Sequence, residues 1–207
     1  MATKKVDVPQ DIYQIKVTLL DTDPPIWRRL LVPATLTLEQ LHDAVQIAMG
    51  WQDSHMHEFR AGQRYFGKPD PESRSMGMDP VENEGKVSLS QVLRRAGAKL
   101  TYTYDFGDGW EHAIVLEKLL PADPSARYPV CTGGQLACPP EDCGGIPGFY
   151  DVVEAIADTK HKRHKELRDW LGYDFDPLAF SVESVNQMLL PARRRGKTSR
   201  DSTGLAR

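Results

Sequence analysis

Apolar and polar residues alternate within residues 12 to 20: Tyr13, Ile15, Val17 and Leu19 fall on one side and Gln14, Lys16 and Thr18 on the other, the period of a half-buried strand. Pro24 and Pro25 interrupt this pattern. The β-favouring stretch from Ile26 to Val32 follows and stops at Pro33, so the opening predicts two strands joined by a turn. Thr37 and Gln40 have capping-box spacing, Leu38, Leu41, Val45 and Ala48 recur at helical intervals, and Gly50 stands where a helix wants a left-handed last residue. Residues 57–66 predict a further strand or a hairpin around Gly62, and the Pro-, Gly-, Asp- and Glu-rich stretch 67–85 a surface loop. Ser88 and Gln91 cap a short helix ending near Gly97.

Leu100, Tyr102, Tyr104 and Phe106 then alternate with Thr101, Thr103 and Asp105. Residues 111–119 are their partner across a turn in which Gly107 and Gly109 supply positive φ and Asp108 bonds its own backbone. A cysteine-bearing loop segment runs to Gly148, and helices are predicted over 150–158, 162–171 and 181–190, with a turn at Asp176 and Pro177. Strand pairs interspersed with helices and closed by a helical end predict one compact α+β domain over residues 11–190, its sheet mostly antiparallel. A flexible N-terminus (1–10) and a basic, disordered tail (191–207) flank it.

Composition narrows the class. With 207 residues, 40% hydrophobic and 27% charged, the chain is neither fibrous nor wholly disordered. It has no apolar run of the roughly 18 residues a membrane span needs, and its polar start lacks a signal core, so a cytoplasmic protein without membrane partners is expected. The net charge of −3 hides an asymmetry: Arg193, Arg194, Arg195, Lys197, Arg200 and Arg207 oppose only Asp201 in the tail, a net +5 that leaves −8 on the residues before it. Nucleic acid, if bound, is expected on the tail alone, because an acidic body repels phosphate; the alternative is a tail that only solvates the chain.

The densest polar cluster is Asp105, Asp108, Glu111 and His112. It reads either as turn chemistry or as a rim for a hard metal ion or a cationic partner. Its Asp-Phe-Gly triplet spells the kinase magnesium motif, but no glycine-rich loop, strand lysine or His-Arg-Asp loop precedes it, so the chain is not a kinase. Glu111 and His112, being adjacent on a strand, face opposite ways unless a bulge intervenes. His55 and His57 share a face on an extended chain and are either metal ligands or partners of loop carbonyls; His161 and His164 lie on a highly charged, solvated helix start. Cys131, Cys138 and Cys143, odd in number and close together, favour zinc or reduced thiols over a disulfide framework. Zinc there would take its fourth ligand from His112, His55 or His57. A nucleophilic cysteine is disfavoured, since Glu141 and Asp142 beside the thiols raise their pKa.

The segments Tyr13–Leu20, Pro25–Arg29, Leu41–His42, Gly50–Trp51, Asp53–Phe59, Tyr104–His112, Cys138–Gly145 and Phe175–Pro177, in that order, resemble the Ri-plasmid open-reading-frame-three-like family across Tyr13 to Leu190. The resemblance implies a compact α+β domain and hands over no catalytic residues. Labels attached to such proteins, insertion-element passenger and TnpR-like, imply a link to mobile DNA, yet the chain lacks the nucleophilic serine domain and helix-turn-helix of a serine resolvase. Two functions follow as expectations. One is a non-enzymatic binding or accessory module presenting Asp105, Asp108, Glu111, Glu141 and Asp142 to a protein or peptide. The other is a metal-dependent hydrolase or nuclease in which His55, His57, Asp105, Asp108 and His112 converge.

Overall fold

The computed structural model describes residues 11–69 and 81–189. The opening alternation forms β1 (Asp11–Leu19), paired antiparallel with β2 (Trp27–Pro33), and the side chains at 13, 15, 17 and 19 are buried as the pattern requires. The capping box is formed. Thr37 Oγ1 accepts from Gln40 N–H and Gln40 Oε1 from Thr37 N–H, starting α1 (Leu38–Met49), and Gly50 ends it at φ 103°.

β3 (His57–Ala61) and β4 (Arg64–Gly67) make the hairpin around Gly62, β5 (Glu82–Asn83) lies parallel to β4, and a 3-10 turn spans Glu84–Lys86. Most of the expected 67–85 loop lies outside the described residues. The helix after Ser88, α2 (Leu89–Val92), is one turn long and stops well before Gly97. β6 (Lys99–Tyr104) pairs with β7 (Trp110–Pro121), which continues against β1 with a bulge at Glu117.

One strand escaped the sequence pattern: β8 (Val130–Gln135) pairs with β2 at the sheet edge. Its Gly133 and Gly134 read as loop residues, but they admit ring packing, with Trp27 lying over Gly133 and the Phe180 ring seated on Gly134 where no Cβ would fit. The first C-terminal helix, α3 (Gly145–Ala157), begins five residues earlier than predicted, because Pro147 is tolerated in a first turn where no intrahelical amide is needed. α4 (His164–Leu171) and α5 (Val182–Leu189) complete the chain as described.

The eight strands run β5-β4-β3-β6-β7-β1-β2-β8 and are antiparallel except at β4/β5. One face carries the core: Ile15, Leu30, Phe59, Tyr102, Trp110 and Ile114 pack with Leu38, Leu41 and Val45 of α1 and with Leu89 and Leu93. The other face presents Lys16, Arg29, Arg60, Glu111 and Glu117 to solvent, the one-sided pattern of an antiparallel sheet covered on a single face. A smaller cluster, Val152, Ala155 and Leu167, holds α3 against α4.

Candidate functional site

The polar chemistry gathers where the β6–β7 turn, the loop after α1 and the Cys138–Cys143 loop meet. Asp105, not Asp108, makes the turn: its Oδ1 accepts from Gly107 N–H at 2.9 Å and Asp108 N–H at 3.4 Å. Asp105 itself adopts φ 54°, and Gly109, but not Gly107, has positive φ. Asp108 is left to reach across, accepting from Gly144 N–H at 3.1 Å, which ties the hairpin to the cysteine loop.

In that loop the Glu141 carboxylate accepts from Gln52 N–H at 2.8 Å and from the Tyr104 hydroxyl at 3.0 Å, while Tyr104 Oη accepts from Ser54 N–H. Burial and the neighbouring Glu141 hold the Tyr104 phenol protonated, its pKa raised above the usual range. These bonds place His55 among carboxylates. Its Nε2 is 3.0 Å from Asp142 Oδ1, 3.6 Å from Asp105 Oδ2 and 3.9 Å from Glu141 Oε2. Of the five surface acids expected on one rim, four share this end. Glu111 does not: it lies on the open sheet face, 4.0 Å from Arg60.

The five proposed hydrolase residues do not converge on one ion. His55 and Asp105 meet, and Asp142, absent from that expectation, is their third partner. His57 turns inward. Its Nε2 donates to the buried Glu84 carboxylate at 2.9 Å, and its ring stacks on His42 with centroids 3.5 Å apart and planes 8° from parallel. Among the described residues, neither it nor His55 is hydrogen-bonded to a loop carbonyl. Tyr102 Oη accepts from Gln46 Nε2 and donates to His42 Nδ1 at 2.8 Å, leaving His42 Nε2–H to donate to Asp53 Oδ1 at 2.8 Å. Asp53, His42 and His57 lie close enough to be read as a ligand set, but a metal bonds in the plane of an imidazole, and no point lies in two parallel planes this far apart.

His112 is fully buried under Trp51, its Nδ1–H donating to Tyr102 O at 3.2 Å, and burial depresses its pKa to about 4. The adjacent Glu111 is exposed, so the two face opposite ways as the strand period predicts.

Among the described residues, no set of three close ligand atoms includes a cysteine. Cys131 is on β8, its amide donating to Asn186, and burial raises the pKa of all three thiols, Cys143 to about 12. The buried Arg28 guanidinium, held by the carbonyls of Ala48, Trp27 and Gln135, adds a fixed positive charge near Cys131 and Cys138 that opposes a cation there. The basic tail residues Arg193, Arg194, Arg195, Lys197 and Arg200 lie outside the described residues.

Beyond Asp142 the acidic end opens into a cavity of about 290 Å³ between α3 and α4, walled by Asp142, Asp151, Glu166 and the half-exposed Trp170 over a floor of Cys143, Val152 and Leu167. Its one cation, Arg163, is already paired with Asp151 and Glu166, each at 2.9 Å. Sequence reading missed Asp53, Glu84, His42 and this cavity. A polar His42 on the apolar face of α1 was the available signal, whereas the partners of long-range contacts carry none.

The sequence model of the plasmid pRiA4b ORF-3-like family matches residues 11–184. An uncharacterised protein of Sinorhizobium fredii, y4hQ, is 41% identical over 178 residues, 85% of this chain and 89% of the relative. Among solved structures, a protein of unknown function from Methanosarcina mazei, MM3350, is 35% identical and superposes with a TM-score of 0.74, covering 86% of this chain and 97% of its own.

Proposed function

This chain belongs to the plasmid pRiA4b ORF-3-like family, and from the geometry of its acidic end we infer that it is a binding module receiving a cationic segment of a protein partner. One observation carries the reading. Asp108, Glu141 and Asp142, backed by the buried Asp105, lead into the α3/α4 cavity, where Asp151 and Glu166, both shared with Arg163, line the same space as the exposed Trp170. A lysine or arginine side chain suits such a place: its methylene stem covers Val152 and Leu167, and its head meets carboxylates and the Trp170 ring. The exposed Phe106 and Met56, joined through the Asp105 N–H to Met56 O bond, supply apolar contact beside the rim.

The test is fluorescence anisotropy of a labelled lysine- and arginine-rich peptide against a glutamate-rich one, added to the full chain. The basic peptide is expected to bind and to weaken with salt. Glu166→Gln and Trp170→Ala are each expected to weaken it about 5-fold or more, on the scale of one desolvated cation–π or ion-pair contact. Equal binding of both peptides, or no effect of either substitution, overturns the reading.

A further inference from the structure

We propose that His55, Asp105 and Asp142, with Glu141 as a fourth donor, form a site for one first-row divalent metal ion. The proposal does not depend on the cationic partner.

Spacing is the first argument. Donors bound at about 2.1 Å and roughly 90–110° apart sit about 3.0–3.5 Å from one another. His55 Nε2 is 3.0 Å from Asp142 Oδ1 and 3.6 Å from Asp105 Oδ2, with Glu141 Oε2 next at 3.9 Å. The 3.6 Å separation exceeds a hydrogen bond and lies just beyond that spacing, at a ligand–metal–ligand angle of about 120°.

Unused bonding capacity is the second. His55 Nε2 is shut off from solvent and makes no hydrogen bond in spite of its three carboxylate neighbours. The Asp105 side chain is 9% exposed; its Oδ1 is spent on the turn amides, and its Oδ2 points at His55 with no hydrogen bond among the described residues. A carboxylate oxygen on a nearly buried side chain and a solvent-shielded imidazole nitrogen that face each other at 3.6 Å without a hydrogen bond are free to share one ion.

The donors are also held in place by other bonds. The β6–β7 turn fixes Asp105, Gln52 N–H and Tyr104 O–H fix Glu141, and the Asp105 N–H to Met56 O bond fixes the segment carrying His55. Asp142 is mostly exposed, so one side of the ion stays open to solvent or to a ligand. An imidazole among carboxylates selects manganese, iron or zinc over calcium, which prefers oxygen donors throughout.

The experiment uses the full chain, stripped with EDTA, and Mn²⁺ alone, which has little appetite for the three thiols. Calorimetry is expected to give one Mn²⁺ per chain, and pulsed electron paramagnetic resonance an imidazole nitrogen coupled to it. His55→Gln should abolish that coupling. His55→Gln and Asp105→Asn, the latter keeping the turn-forming Oδ1, should each weaken binding at least 10-fold, while Glu111→Gln on the other sheet face leaves it unchanged. Absence of binding at about 1 mM Mn²⁺, binding without nitrogen coupling, or coupling that persists in His55→Gln overturns the proposal. Because the coupling is read on the unaltered chain, a variant that fails to fold does not remove the test. Mn²⁺ uptake by a chain that ignores the basic peptide would retain this site and dismiss the partner reading, and the reverse result would do the opposite.

Discussion

At the scale of single residues, the buried histidines are the most demanding groups in the molecule. His112 is shut off from solvent by burial and faces no acid among the described residues, so its folded pKa of about 4 lies below the value of about 6.5 that it regains on unfolding. Between those values the unfolded chain binds a proton that the native chain refuses, and stability therefore falls as pH drops from about 6.5 to about 4 and levels off below. The shift corresponds to a loss on the order of 3 kcal/mol. His42 is lowered in the same direction, by burial first and by the stacked His57 second, and its Nδ1 already accepts the Tyr102 proton. Urea unfolding midpoints at pH 7.0, 5.5 and 4.5 test this. A steady decline is expected in the wild type and a shallower one in His112→Phe, whatever that variant's own stability; identical slopes in both would refute the assignment to His112.

At the scale of elements, the acidic end depends on two loops approaching more closely than side chains allow. Gly145 has φ 68°, and a Cβ there would lie 2.6 Å from Asp108 O, on the hairpin whose carboxylate already holds Gly144 N–H. Gly97 is the useful comparison, with φ 83° and open space around it. Gly97→Ala should cost about 1 kcal/mol for left-handed backbone alone, and Gly145→Ala about 2–3 kcal/mol, because backbone must also move. Chemical denaturation measures both, and equal costs would mean that the loop contact contributes nothing. The β6–β7 hairpin and the capped α1 were legible because strict alternation and a capping box are local signals. β8 and the start of α3 were not, because Gly133, Gly134 and Pro147 obey their long-range packing and helix-end chemistry rather than their reputation as breakers. The site divides in the same way: His55 and Asp105 stand out by residue type, but only the loop crossing brings Asp142 to them.

At the scale of the whole molecule, charge is segregated along the chain. Asp105, Asp108, Glu141, Asp142 and His55 at the sheet end belong to a body of net −8, and the compensating positive charge is concentrated after residue 190. Phosphate backbones are repelled by the first and attracted by the second, so the charge pattern predicts that any affinity for DNA lies in Arg193, Arg194, Arg195, Lys197 and Arg200. Contacts of that kind release condensed counterions and read no sequence. The logarithm of the binding constant should fall with the logarithm of salt concentration with a slope of about −4 to −5 if all five cations engage, near −0.9 for each phosphate neutralised. Duplexes of unrelated sequence should bind equally, and a chain ending at residue 190 should bind none of them at the same salt while still taking up Mn²⁺, since the proposed metal ligands all lie in the body. A truncated chain that kept its DNA affinity would place a phosphate-binding surface on the acidic body itself, and the electrostatic division of the molecule would have to be abandoned.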